Sequence, residues 1–150
     1  MGVIANFTKD DIKKRLDAFL DQIEKQQIKR LQLLGEKCVI EARTNKGYTV
    51  RTGALTSSTG YMVFVDGVAI HTAFEAENGE GSTNGIQTGQ IVAEQIGRET
   101  TGVALVVVAG MNYAAYVEAK GYNVLASAEH LAERELPRML EDLTNNILNV

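Results

Sequence analysis

Residues 61–74, which read YMVFVDGVAIHTAF, decide the fold. Two runs rich in β-branched and aromatic residues flank the dipeptide Asp66-Gly67, and this pattern predicts a β-hairpin. A further strand is predicted over residues 103–109, VALVVVA. Because that run is almost entirely apolar, we expect it to be a central strand covered on both faces.

A long helix is predicted upstream of the hairpin, over residues 8–43. Thr8 followed by Asp11 is a variant of the capping box that begins many helices. Apolar residues then recur at steps of three and four along one face, with Gln26 and Gln27 diluting the middle: Ile12, Leu16, Phe19, Ile23, Leu31, Leu34 and Cys38. A helix of this length extends ~54 Å, more than the remaining residues can cover. Either it breaks near Gly35, or part of its apolar face meets another chain, and we favour the second alternative.

Downstream of the hairpin, residues 75–101 are predicted to form a long acidic loop. It holds five glutamates and one arginine, a net charge of −4. Loops of this length are uncommon and are often functional or mobile; residues 90–96 within it are compatible with a short helix or strand. The chain closes in a helix over residues 124–148, capped by Asn123 or Ser127 and kinked or split at Pro137.

This order of elements is typical of the α+β class. With 150 residues we expect one domain over 1–150, with a small, mainly antiparallel sheet over residues 59–110 and the C-terminal helix packed on it. Apolar runs are too short for a membrane span, and the start lacks the features of a secretory signal. The single cysteine, Cys38, cannot form an internal disulfide and fits a reducing cytoplasm.

Charge is divided unevenly along the chain. Residues 1–46 hold ten basic and seven acidic residues, a balance of +3, whereas residues 47–150 hold five and twelve, a balance of −7. This distribution argues against a globally basic nucleic-acid binder. Oppositely charged ends could attract copies of the protein head to tail; solvated charge on a long helix is the equally weighted alternative.

Residues able to perform chemistry are few. Cys38 lies on the apolar helix face and is expected in the core. His71, His130 and Glu133 are the candidates for a small metal-dependent enzyme or regulator, but a metal site needs three or four convergent ligands, and a solvated helix face explains His130 and Glu133 better. Residues 79–85 lack the pattern of a phosphate-binding loop. We therefore expect no catalytic residue, metal or cofactor.

Two short motifs suggest a family. The first is Arg51-Thr52-Gly53-Ala54-Leu55, and the second is residues 106–118, a strand that ends in Tyr113-Ala-Ala-Tyr116-Val-Glu118. Their order and spacing after a long helix resemble the neck and tail-completion proteins of long-tailed bacteriophages. By motif the resemblance covers residues 48–150.

The resemblance implies a structural virion protein without catalysis. Copies would form a homo-oligomeric ring, six being the hypothesis, between the connector or head-closure proteins and the tail tube. DNA would pass through the ring without sequence-specific binding, and no membrane would be involved. The protein would belong to the virion, and to the host cytoplasm during assembly. A host-encoded binding module is a further alternative.

The motif residues have physical roles under this hypothesis. Gly53 permits a tight turn between helix and sheet, and Leu55 is expected beneath the hairpin. Tyr113 and Tyr116 suit a core edge or a subunit contact, and Glu118 is expected to pair with a basic group such as Arg51 in the same or a neighbouring chain. Ordinary core and turn packing is the alternative for each.

The acidic loop has two possible roles in such a ring. Its glutamates would either face the lumen and repel the DNA backbone, or belong to a segment that a partner ring orders. The candidate residues are Glu75, Glu77, Glu80 and Glu94.

Overall fold

The computed structural model describes residues 1–148. Its elements are α1 (Lys9–Thr44), α2 (Ala54–Ser57), β1 (Thr59–Val65), β2 (Val68–Phe74), α3 (Ser82–Gly97), β3 (Val103–Ala109), α4 (Ala114–Ala119) and α5 (Ala126–Leu148). The three strands form one antiparallel sheet in the order β2-β1-β3. Helix α3 packs on one face of the sheet and α1 with α5 on the other. The α+β class is confirmed, and no helix among residues 1–148 is long and apolar enough to cross a membrane.

The hairpin of β1 and β2 forms as predicted. Val65 pairs with Val68, and Asp66 and Gly67 both have positive φ, 49° and 80°. A two-residue turn with both residues in this region matches the twist of the paired strands. The Asp66 carboxylate also accepts the Gly102 amide at 2.8 Å, which joins the turn to the start of β3.

The prediction that residues 103–109 form the central strand is wrong. The central strand is β1, in which every residue except Val65 is buried, and β3 lies at an edge. Both faces of β3 are nevertheless covered: Val106 and Val108 pack in the cluster with α3, and Leu105 and Val107 against α1 and α5. The apolar run therefore indicates that both faces of the strand are covered. It does not indicate whether the strand is central, because an edge strand can also be covered on both faces.

Helix α1 is unbroken, so the alternative of a break near Gly35 is wrong. The predicted capping box is confirmed: the Asp11 amide donates to Thr8 Oγ1 at 3.0 Å, and the Thr8 amide to Asp11 Oδ2 at 3.2 Å. A Cβ atom at Gly35 would lie 2.5 Å from the ring of Tyr61. This glycine lets the buried ring of the central strand pack directly on the helix backbone.

The prediction of a loop over residues 75–101 is wrong, because α3 occupies residues 82–97. Gly85, Gly89, Ala93 and Gly97 are spaced four apart and are all buried. A Cβ atom at Gly97 would overlap the ring of Phe64 on β1. Each helical glycine costs roughly 0.5–1 kcal/mol, and here that cost permits close packing of the helix on the sheet.

Helix α5 is continuous through Pro137, so the predicted split does not occur. Pro137 and Glu133 are both exposed, which leaves the carbonyl that Pro137 cannot bond open to water. Asn123 Oδ1 accepts the Ser127 amide at 3.0 Å and so acts as the predicted cap. The helix lies mainly against α1 and shares one core cluster with it and with β3.

Cys38 belongs to that cluster and is 1% exposed, which confirms the predicted core position. Its thiol donates to the carbonyl of Ala128 at 3.7 Å. Burial raises the pKa of this thiol, so Cys38 is protonated and inert in the folded protein.

Candidate assembly surfaces

The two sequence motifs meet in one cleft of about 610 Å³. Arg51, Thr52, Gly53 and Leu55 line it from one side, and Tyr113 and Tyr116 from the other. Tyr48, Lys120 and Tyr122 complete its rim. We call this concavity the two-motif cleft. Residues about sixty positions apart in the chain thus form one surface.

The first motif makes the predicted turn. Gly53 has φ +79° and directly precedes α2, a conformation that L side chains rarely adopt. The Gly81 amide donates to the carbonyl of Thr52 at 2.8 Å, which holds the turn against the start of α3. Leu55 is buried as expected, but it packs against Ala114 of α4 and not under the hairpin.

Four consecutive hydroxyl residues, 56–59, hold the motifs together, and each is at most 2% exposed. The carbonyl of Ser58 accepts the Gly110 amide at 3.1 Å, within the second motif. Ser57 Oγ accepts the Glu77 amide at 2.7 Å, and Thr56 Oγ1 lies 3.0 Å from Tyr48 Oη. No functional role was predicted for these four residues. The pattern that indicates a buried polar link is the run of four hydroxyl side chains directly before an apolar strand.

The second motif passes from strand to helix, since β3 ends at Ala109 and Tyr113 directly precedes the short helix α4; the prediction that the strand ends in residues 113–118 is wrong. Tyr113 is 38% and Tyr116 62% exposed, so neither is a core residue. The ammonium of Lys120 lies 4.7 Å from the centre of the Tyr116 ring, a cation–π contact. Among residues 1–148, Arg51 and Lys120 line the cleft and no carboxylate does, so the described surface is aromatic and cationic.

Glu118 does not pair with Arg51 of its own chain, and the prediction of an ion pair within the chain is wrong. Its carboxylate accepts the backbone amides of Val124, Leu125 and Ala126 at 2.9, 2.8 and 2.7 Å, at the start of α5. Burial favours the neutral form, but the three N–H donors outweigh it and hold the pKa of Glu118 below its ordinary value. Glu118 therefore anchors the C-terminal helix.

The candidate glutamates are distributed over a short connection and a helix. Glu75, Glu77 and Glu80 lie between β2 and α3, and Glu94 lies on the exposed side of α3. The connection is fastened at two points, because the carbonyl of Glu75 accepts Arg43 Nη1 at 2.8 Å and the Glu77 amide binds Ser57. Glu75, Glu80 and Glu94 remain exposed to solvent.

The histidines lie in separate clusters. His71 Nε2 is 3.0 Å from Tyr61 Oη, which donates to Glu36 Oε1 at 2.8 Å. Burial, and next the bond to Glu36, raises the pKa of Tyr61 far above its ordinary value, so the phenol stays protonated. His130 Nδ1 lies 3.9 Å from Glu133 Oε2, with both side chains exposed. Over residues 1–148, no three His, Cys, Asp or Glu side chains converge as a metal site.

The N-terminal part of α1 has no partner within the described part of the chain. Residues 1–22 are all exposed, including Ile12 at 59%, Leu16 at 54% and Phe19 at 46%. We call residues 9–23 the projecting segment. Helices in water are stabilised chiefly by packing of an apolar face, and here that face has nothing to pack on.

An apolar groove of about 680 Å³ lies between α1, α5 and β3. We call it the α1–α5 groove. Leu136 and Leu140 on its rim are 39% and 53% exposed, so it opens to solvent. Arg30 and Glu129 are the charged residues that line it. From α1, the groove is also lined by Gln27, Leu31, Leu34 and Cys38.

Comparisons of the chain with protein-family models, with curated proteins and with solved structures found no match. The described residues define a three-layer α+β domain with two open surfaces: the two-motif cleft, and the projecting segment with its adjoining groove.

Proposed function

We propose that the protein is a structural component of the phage head–tail junction, a neck, tail-completion or tail-terminator protein. It forms a homo-oligomeric ring that joins the tail to the head and lets DNA pass. The observation that carries this proposal is the projecting segment, an amphipathic helix whose apolar face is left open. The virion setting is supported by the resemblance of the two motifs.

The exposed apolar face supplies a driving force for assembly. Burying a large aliphatic or aromatic side chain contributes about 1.5–3 kcal/mol. Ile12, Leu16, Phe19 and Leu20 are about half exposed, so covering them contributes about 4 kcal/mol per copy. Contact with another copy covers this face in every subunit of the assembly.

The two-motif cleft supports a contact with a neighbouring virion protein. Exposed Tyr and Arg side chains are the types most enriched at the energetic centres of interfaces. Arg51 and Lys120 without a lining carboxylate favour a partner surface that carries acidic residues. We assign this cleft to the adjoining connector, head-closure or tail-tube protein.

Part of the charge separation along the chain is used within the fold. Arg30 pairs with Asp142 at 3.5 Å and Lys37 with Glu135 at 3.9 Å, both between α1 and α5. Assembly in this proposal therefore depends on apolar contact more than on attraction between charged ends. The exposed Glu75, Glu80 and Glu94 are assigned to the lumen, where their charge repels DNA phosphates.

Deleting the gene from its phage or prophage tests the proposed function. We expect DNA-filled heads and finished tails that do not join, visible by electron microscopy. Complementation with Leu16→Gln/Phe19→Gln should fail, whereas the matched Lys14→Gln/Asp21→Asn on the opposite helix face should restore virions. Infectious virions without the gene would overturn the proposal.

Metal analysis tests the rival function. Stoichiometric metal in the purified protein that is lost in His130→Ala would favour a metal-dependent enzyme or regulator. Genes beside this one for portal, capsid and tail-tube proteins would argue against a host-encoded binding module.

A further inference from the structure

The residues along one face of α1 are spaced symmetrically about residue 25. Positions 12, 16, 19, 23, 27, 31, 34 and 38 are separated by 4, 3, 4, 4, 4, 3 and 4 residues, a series that is the same in both directions. The first four positions are the apolar stripe of the projecting segment. The last four, which include the polar Gln27, all line the α1–α5 groove; Leu34 and Cys38 lie deepest in it, at 2% and 1% exposure.

We propose that the projecting segment of one copy lies antiparallel in the α1–α5 groove of a second copy. In this register the position numbers of facing residues add up to 50. Ile12 then lies level with Cys38, Leu16 with Leu34, and Phe19 with Leu31. The inference rests on the self-association in the proposed function. Because the facing pairs are the same in both directions along two unbroken helices, the contact is reciprocal and joins two copies, and a ring of more copies needs a further contact through another surface.

The projecting segment and the α1–α5 groove match in length and in apolar character. The stripe from 12 to 23 spans about 17 Å at 1.5 Å per residue, and the groove wall from 27 to 38 has the same number of residues. Apolar side chains line most of the groove, and the stripe presents Ile, Leu and Phe. The segment thus buries apolar surface where the groove offers it.

The occupant is a second copy because the chain cannot fill its own groove. The projecting segment and the groove wall are consecutive parts of one unbroken helix, so the segment points away from the groove that follows it. The symmetric spacing then favours another α1, whose Phe19, Leu16 and Ile12 come level with Leu31, Leu34 and Cys38; the fourth pair is Ile23 with the polar Gln27.

Disulfide trapping tests the register. In a Cys38→Ala background, protein carrying Phe19→Cys is mixed with protein carrying Leu31→Cys and oxidised mildly. We expect this mixed disulfide to form at least tenfold faster than the one between Lys14→Cys, on the opposite helix face, and Leu31→Cys. Equal rates for the two mixtures would overturn the proposal.

A second target residue guards against misfolding of the Leu31 variant. Leu140 on the groove rim is half exposed, and Leu140→Cys should also trap Phe19→Cys in preference to Lys14→Cys. Failure with both targets, in protein that light scattering shows to be oligomeric, would place self-association on another surface.

The number of copies separates this contact from the ring. Selective trapping in a protein that stops at two copies supports the contact and overturns the ring. A ring of several copies without selective trapping overturns the contact and leaves the ring. A protein that is monomeric at all concentrations and gives no selective trapping overturns the contact.

Discussion

Glu118 offers the sharpest test of structural against assembly roles, because the sequence left open whether it serves the fold or a contact with a neighbouring chain, and the structure assigns it to the start of α5. The substitution Glu118→Gln keeps the size of the side chain but removes its charge. One of the two acceptor oxygens becomes an NH₂ group, which would face a backbone N–H donor. At least one of the three amide bonds, at 2.7–2.9 Å, must then be lost.

The expected cost follows from these bonds. A hydrogen bond to a charged group contributes about 1.5–3 kcal/mol net, and the lower end applies because Glu118 is only half-buried. Losing one bond and the carboxylate at a helix N-terminus gives about 2 kcal/mol for Glu118→Gln. Glu118→Ala, which loses all three, should cost about 3–4 kcal/mol. For a domain of this size, 2 kcal/mol lowers Tm by about 4–8 °C.

The effect should depend on pH in a defined direction. The pKa of Glu118 lies below its ordinary 4.5 in the folded protein, so the unfolded chain takes up the proton first. The stabilisation is fully present above pH 4.5 and is lost as pH falls through the folded-state pKa. The difference in unfolding free energy between wild type and Glu118→Gln should therefore be constant near pH 7 and shrink below about pH 4.5.

Urea unfolding followed by circular dichroism, at pH 7 and over an acid series, measures both effects. Glu129→Gln is the matched control, since Glu129 is an exposed acid in the first turn of the same helix and should change stability by less than about 0.5 kcal/mol. A Glu118→Gln protein as stable as wild type but unable to assemble would refute the reasoning and restore the interface role.

Three further substitutions or reactions test the packing. Gly97→Ala should lower the unfolding free energy by about 1–2 kcal/mol despite the better helix propensity of Ala, because its Cβ overlaps the buried Phe64 ring. The control Glu94→Ala, on the exposed side of α3, should leave the unfolding free energy unchanged. A Gly97→Ala protein more stable than wild type would contradict close packing of α3. Tyr61→Phe should cost about 1 kcal/mol in urea unfolding, and in alkaline absorbance titration it should remove the tyrosine that ionises last; an unchanged titration would be the contrary result. Cys38 should react with a thiol reagent only as fast as the protein unfolds, and a fast reaction in native buffer would show that the α1–α5 core is open.

Elements specified by neighbouring residues could be predicted from the sequence. The capping box at Thr8, the stripe along α1 and the Asp66-Gly67 turn each depend on residues a few positions apart. The predicted bounds of α1 and of the two hairpin strands agree with the structure to within one or two residues. The excess length of α1 was also evident, because it follows from residue count alone. The element order was enough for the α+β class.

Composition misled where two physical effects oppose each other. Glycines in residues 79–97 suggested a loop because Gly lowers helix propensity, but their spacing of four places them on one buried face of α3. The same spacing was visible in the sequence and would have predicted the helix. For β3, an apolar run showed that both faces are covered, but strand order depends on which edges pair.

Local pattern determined the first and last helices, the hairpin and the apolar stripe of α1, because each is specified by residues a few positions apart. The tertiary structure alone decided that Tyr61 packs on Gly35, that Glu118 binds the start of α5, and that the two motifs share one cleft. These outcomes depend on packing and hydrogen bonds between distant segments, whose geometry exists only once the sheet has brought them together.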